Sequence, residues 1–220
     1  IRSSIRKPVR LAFTFFAVGI SMLLFGSMLL MMGSMEEIFG NERETWDAQV
    51  HAPVDGEDQI IQWAEDNGAS HELLLQYPAN PAVGDSRKLL ANGLDQFTSI
   101  DSQTGMIHVA LKDGSFPVAS SPVTEVLIDE GTSEFLELKV GDRQTIVFGS
   151  MTKEVEVVGI TKGEMFRTVY FHRSELSELV GLNVTSVLLD LPEGVTIDAD
   201  VGEISEGVTL MADKNKASEE

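Results

Sequence analysis

The sequence predicts an α+β protein in which one N-terminal transmembrane helix precedes a mixed, largely antiparallel extracytoplasmic domain, built as one body or as two small lobes. Three observations lead there. The first is the uncharged run from Leu11 to Met35, LAFTFFAVGISMLLFGSMLLMMGSM, with Arg2, Arg6, Lys7 and Arg10 before it and Glu36 and Glu37 after it. The second is a series of short segments of β character, separated by turn residues, from Gly105 onward. The third is length without cysteine: residues 36–220 suffice for an ordinary core with no disulfide, thiolate zinc site or cysteine nucleophile.

Twenty-five helical residues at about 1.5 Å each reach roughly 37 Å, more than the ~30 Å hydrocarbon core of a bilayer, so the helix can cross with tilt or protrude. The four flanking cations Arg2, Arg6, Lys7 and Arg10 set its direction by the positive-inside rule, with the amino end cytoplasmic and residues 36–220 outside the cell or inner membrane. A cleaved signal peptide would have a shorter apolar region and a small-x-small cleavage site, and GSMEE is a poor one. Within the run Ala12, Gly19, Gly26 and Gly33 recur every seven residues, close to two helical turns, so they line one stripe. A small-residue stripe lets a partner membrane helix approach closely, because lipid offers no hydrophobic incentive to associate.

The expected organisation is a basic cytoplasmic leader at 1–10, the span at 11–35, a helical stalk at 36–45, a first lobe at 46–122 and a second, β-rich lobe at 123–220. MEEIFGNERETW reads as the stalk and WDAQVHA as a strand. Asp55 to Asn67 reads as a helix capped by Asp55, with Ile60, Ile61 and Ala64 on one face and Asn67-Gly68 as the stop. HELLLQY reads as a strand closed by Pro78 and Pro81, and residues 79–102 show no clear period. Then come MIHVAL, a KDG turn, VTEVLID, a short helix over 133–138, and the strands RQTIVFG and KEVEVVGI. Residues 168–171 form another strand, leading into a helix capped by Ser174 and ended by Gly181. SVLLDL and GVTLMA complete the set, with a helix near 198–205 between them.

Charge excludes some functions. The chain has 16 Lys+Arg against 35 Asp+Glu; with four bases and no acids in residues 1–35, the rest carries 12 bases against 35 acids, a net charge of −23. No basic face remains for nucleic acid, and nothing beyond the leader clings to an anionic leaflet. The acids are spread along the chain, which reads as a solvated surface suited to high salt and not as an acidic binding patch. Asn183-Val184-Thr185 is a glycosylation sequon of a kind common by chance.

No catalytic, cofactor-binding or metal-binding residue emerges. His51, His71, His108 and His172 are scattered without metal-ligand spacing; the GxSxG, SxxK, HExxH and Walker A patterns are absent. Asp198 and Asp200 fit turn and cap positions beside Pro192 and Gly194.

The leader and span, with Arg6-Lys7-Pro8-Val9-Arg10, Thr14 and Gly19-Ile20, resemble the basic, proline-containing start of a membrane helix in the FtsX-like, or MacB-type, ABC transporter permeases. Downstream, Glu125 to Glu130, Leu138-Lys139-Val140-Gly141-Asp142, Val155 to Ile160, Val169-Tyr170-Phe171 and Leu176 to Leu182 resemble that family's periplasmic core domain in order and spacing. The resemblance is good over residues 123–191, fair over 1–40 and thin between. It implies a permease fragment, one first membrane helix plus its outer domain, and no enzyme in its own right. It also implies a separate cytoplasmic ABC ATPase subunit, a second permease copy or half, a lipid bilayer around the helix, and no cofactor. ATP hydrolysis would move the outer domain to release lipoproteins, export peptides or drugs, or control cell-wall hydrolases. Two other classes compete: a single-pass anchored binding or sensing domain, and an anchored hydrolase using paired carboxylates, which no fixed acid–base pair in the sequence supports.

Overall fold

The computed structural model describes residues 15–28, 44–99, 102, 104–162, 167–197 and 199–210. Residues 1–40 and 41–220 are two separate compact units. In the first, residues 15–28 form helix α1, whose apolar side chains, from Phe15 and Phe16 to Phe25 and Met28, are exposed. The hydroxyls of Ser21 and Ser27 donate back to Ala17 O and Leu23 O, so the polar groups on this apolar surface are satisfied within the helix. Among the described residues no helix is long and apolar enough to cross a membrane. The remaining residues of the expected span, 11–14 and 29–35, lie outside those described.

The second unit contains β1 (Ala48–His51), α2 (Glu57–Asp66), β2 (Ser70–Ala79), β3 (Leu89–Leu94), β4 (Thr98–Ser99), β5 (His108–Val109), β6 (Leu111–Gly114), β7 (Thr124–Asp129), α3 (Glu130–Leu136), β8 (Arg143–Phe148), β9 (Met151–Thr161), β10 (Thr168–His172), α4 (Arg173–Val180), β11 (Ser186–Asp190), α5 (Ala199–Ile204) and β12 (Gly207–Leu210). Ten strands form one sheet in the order β12-β1-β11-β2-β3-β10-β7-β9-β6, with β8 paired to β9; β4 and β5 make a separate pair. Within the large sheet only β3/β10 and β7/β9 run parallel. This is the mixed, largely antiparallel α+β architecture the sequence predicts.

A two-way backbone bridge gives the sheet its shape. Asn80 N donates to Val147 O at 2.9 Å and Val147 N to Asn80 O at 2.8 Å, joining the end of β2 to β8. The strands β2-β3-β10-β7-β9-β8 therefore close on themselves, around Leu75, Ala91, Val126, Ile128, Ile146, Phe148, Val157, Phe171 and, from α4, Leu176. The strands β12, β1 and β11 extend outward from β2 as an open wing, with α2 and α5 packing Ile60, Ala64 and Val201 against Val50, Val187 and Leu189. Neighbouring residues alternate faces, as strand geometry requires. Leu74, Leu127, Tyr170 and Leu188 thus join Trp46, Met106 and Val109 in a third cluster.

Most expected strands are present, and several details differ. Glu44, Thr45 and Trp46 do not continue a stalk: Glu44 bridges Ile107, Thr45 N donates to Met106 O, and Trp46 is buried. The rest of the expected stalk, 36–43, lies outside the described residues. Asp55 does not cap α2, which starts after Gly56 with no side-chain cap; Asp55 takes a left-handed φ of 57° in the preceding turn. Likewise α4 begins at Arg173 after His172, so Ser174 lies inside its first turn, while Gly181 does end it. Helix α3 starts earlier than expected, at Glu130, because Asp129 caps it.

Pro78 does not close β2. Its cross-strand partner Leu90 sends its N–H the other way, to Arg167 O at 2.8 Å, and β11 covers only Ser70 to Leu74 of β2. The missing proline donor is therefore not needed by the ladder. The KDG segment is strand, not turn: it forms most of β6, with an irregular register against β9. Strand β3, LLANGL, lies in the stretch without a clear period. Around residue 122 the sheet interleaves both expected lobes, with β1, β2 and β3 set among β12, β11 and β10, and residues 41–220 are one compact unit.

Candidate functional site

The motif turn at Val140, Gly141 and Asp142 is closed by backbone and side-chain hydrogen bonds. Asp142 N donates to Lys139 O at 3.0 Å, closing a four-residue turn, and the Asp142 carboxylate accepts from Lys139 N at 2.8 Å. Gly141 sits third in that turn with φ +91°, the left-handed region that a side chain enters only under strain. A Cβ there would meet nothing within 4 Å, so the requirement for glycine is conformational and not steric. The turn is fastened to the middle of β9: Gly141 N donates to Val157 O at 2.7 Å and Val157 N to Asp142 O at 2.9 Å. Before it, Leu138 N returns to Ser133 O, and the Ser133 hydroxyl donates to Leu138 O, which ends α3 and places Leu138 in the closed core. The motif is a corner that turns α3 into β8.

At the opposite end of α3, Asp129 is 1% exposed. Its Oδ1 accepts from Thr168 N at 2.7 Å, both oxygens accept from Thr132 N at 3.3 Å, and the Thr132 hydroxyl donates to Oδ1. One carboxylate thus joins the end of β7, the start of α3 and the start of β10. With both oxygens taken by fixed donors, its chemistry is structural. Nearby, the guanidiniums of Arg87 and Arg167 lie over the Phe135 ring at 4.6 and 3.5 Å. Arg87 also grips Asp85, and that hydrogen-bonded pairing holds the Asp85 carboxyl below the usual carboxylate range.

The four histidines all lie on strands and do not converge. His51 Nδ1 lies 3.1 Å from Ser186 Oγ, His108 Nδ1 lies 3.3 Å from Thr98 Oγ1, His172 Nε2 donates to Pro117 O at 3.0 Å, and His71 is exposed. Among the described residues no three His, Asp or Glu side chains gather as metal ligands. A hollow of about 370 Å³ opens at the end of the wing, between His51, Val54, Leu182, Val184 and Glu206.

Of the small-residue stripe, Gly19 and Gly26 fall in α1, and a Cβ added at either would meet nothing within 4 Å. Ala12 and Gly33, and the topology-setting Arg2, Arg6, Lys7 and Arg10, lie outside the described residues.

No family model matches the chain, and no curated protein does. Among solved structures, it is similar to the periplasmic region of MacB from Actinobacillus actinomycetemcomitans, with a TM-score of 0.46 and 12% identity, over 81% of this chain and 95% of that one. It is similar also to the extracellular domain of the noncanonic ABC-type transporter YknZ from Gram-positive bacteria, with a TM-score of 0.46 and 16% identity, over 75% of this chain and 98% of that one. A likeness at this level transfers no residue's role.

Asp129 and the Arg87–Phe135–Arg167 group were not singled out from the sequence. For Asp129 a signal exists: an aspartate at the end of an apolar strand, followed by a helix-compatible segment, is a cap position. For the arginines none does, because residues 87, 135 and 167 meet only through the pairing of β10 with β3 and β7.

Proposed function

We propose that the chain is the first membrane helix and the extracytoplasmic domain of an FtsX-like, MacB-type ABC transporter permease. The permease couples ATP hydrolysis by a separate cytoplasmic ATPase to movement of the outer domain. The observation that carries this reading is the pairing of β1 with β12, in which Ala48 stands opposite Leu210. The chain comes into the sheet beside the point where its last described strand runs out. A domain inserted between two membrane helices needs that arrangement, since both tethers return to one surface. The exposed apolar side chains of α1 support the same reading, because a surface of Phe15, Phe16, Leu23, Leu24 and Phe25 has to be covered by lipid or by other helices.

In this mechanism α1 and its continuation act as the lever, Gly19 and Gly26 are the surface on which a partner helix rests, and the domain is the load. Both tethers act on the open wing, and β11–β2 pairing carries the force into the closed half. The chain itself catalyses nothing; its partners are the bilayer, the ATPase and a second permease copy or half. The work done outside the membrane is lipoprotein release, peptide or drug export, or control of cell-wall hydrolases.

The test is purification from the native membrane. An ABC ATPase subunit copurifies, and Gly26→Leu reduces that assembly or the coupling of ATP hydrolysis while the circular dichroism of the outer domain is unchanged. Isolation of the chain without an ATPase, or full assembly and coupling in the Gly26→Leu protein, contradicts the reading.

A further inference from the structure

Among the described residues, Glu72 is the one acid buried beside the third cluster. It lies on β2, its residue is 8% exposed, and across the ladder it faces Leu188. Its Oε2 accepts the backbone N–H of Met106 at 2.6 Å, while its Oε1 is buried and has no hydrogen-bond partner among the described residues. Residues 104–109 are held against the sheet at this point, and they in turn hold the incoming chain. Thr45 N donates to Met106 O at 3.0 Å, the Thr45 hydroxyl donates to Gly105 O at 3.2 Å, and Glu44 bridges Ile107. A single carboxyl therefore stands behind the contact through which the chain first joins the domain.

Among the charged and titratable groups on the packed segments only His108 favours the ionised form of this carboxyl, and no ion pair to Glu72 forms among the described residues. Asp95 repels it, with its own carboxylate drawn to Arg173 Nε at 2.7 Å; His108 is buried against Thr98; Glu44 adds a further acid on the incoming segment. A buried carboxylate with one donor and no ion-pair partner is costly, and a neutral carboxyl in the same place costs less.

We propose that Glu72 is a proton-operated clasp: protonated, it lets residues 104–109 seat on the sheet and hold residues 44–46, and as it ionises the seating loosens. Burial pushes this carboxyl above the usual carboxylate range, against the opposing pull of the Met106 N–H. Between the ordinary carboxylate range and the raised value, the seated form therefore holds a proton that the lifted form releases. Acidification in that window favours seating, and rising pH favours lifting. Each unit by which seating raises the affinity for protons biases the equilibrium about tenfold. The clasp makes the connection between incoming chain and sheet responsive to the surrounding pH, which on the function proposed above is the pH outside the membrane.

The test uses the full chain in detergent with Trp63→Phe, which leaves Trp46 as the sole tryptophan, buried in the same cluster. From about pH 4 to about pH 8, Trp46 emission moves to the red and Met106 amide exchange, corrected for its intrinsic rate, accelerates. In the Trp63→Phe, Glu72→Gln chain, which keeps an oxygen for the Met106 N–H but cannot ionise, both signals are flat and protection stays high. A Glu72→Gln chain that titrates like its parent, or that loses Met106 protection at every pH, overturns the proposal. A Glu72 carboxyl carbon resonance that titrates in the ordinary carboxylate range in the parent overturns it too, without recourse to the variant.

Discussion

The closed half of the sheet and its open wing are built from the same kind of strand but held by different means. In the closed half, β2, β3, β10, β7, β9 and β8 have their ladder completed by the Asn80–Val147 bridge, and Phe171 meets Phe148 edge to face at 5.7 Å inside it. In the wing, β12 pairs among the described residues with β1 alone, and the strands are covered by α2 and α5 on one face and, at β11, by the third cluster on the other. The wing is also where the incoming and outgoing strands sit. In the function proposed above, force delivered through the ends of the domain would meet the more deformable part first, with a stiffer body behind it.

Three substitutions sharpen or break that comparison. Phe171→Ala removes the largest fully buried side chain and should destabilise the domain by about 3–5 kcal/mol, read by denaturant unfolding as a single transition with both halves lost together. Ile60→Ala, in the wing, should cost about 2–5 kcal/mol locally, with hydrogen exchange rising in β1, β11 and α2 while β7, β9 and β10 keep their protection. Equal acceleration in both groups would mean that the halves are one cooperative unit. Gly141→Ala has the smallest effect, about 1–2 kcal/mol from the left-handed φ alone, and should shift the unfolding midpoint without loosening the wing.

The same division runs through what could be read from the sequence. Strands β1, β2 and β7 to β11 are legible because their apolar residues alternate or run continuously between recognisable turns, and the Val140-Gly141-Asp142 corner is legible because a left-handed turn position leaves a glycine. Strand β3 is not, since Asn92-Gly93 reads as a turn. Gly93 is there because α4 lies close above it: a Cβ would come within 3.1 Å of Arg173 Cα and 3.3 Å of Leu75 Cβ. The stalk reading fails at residues 44–46 because their partners, residues 105–107, are some sixty positions away. The sheet closure and the Glu72 contact are illegible for the same reason: each joins segments whose meeting no local pattern records.

We propose that residues 11–35 anchor the domain with its sheet outside the cytoplasm. The chain has no cysteine, so one introduced at Ser3, in the basic leader, or at Ser150, in the exposed turn between β8 and β9, reports on a single position. In intact cells, a membrane-impermeant maleimide should label Ser150→Cys at once and Ser3→Cys only after permeabilisation. Labelling of Ser3→Cys in intact cells, or protection of Ser150→Cys until they are opened, would contradict the account.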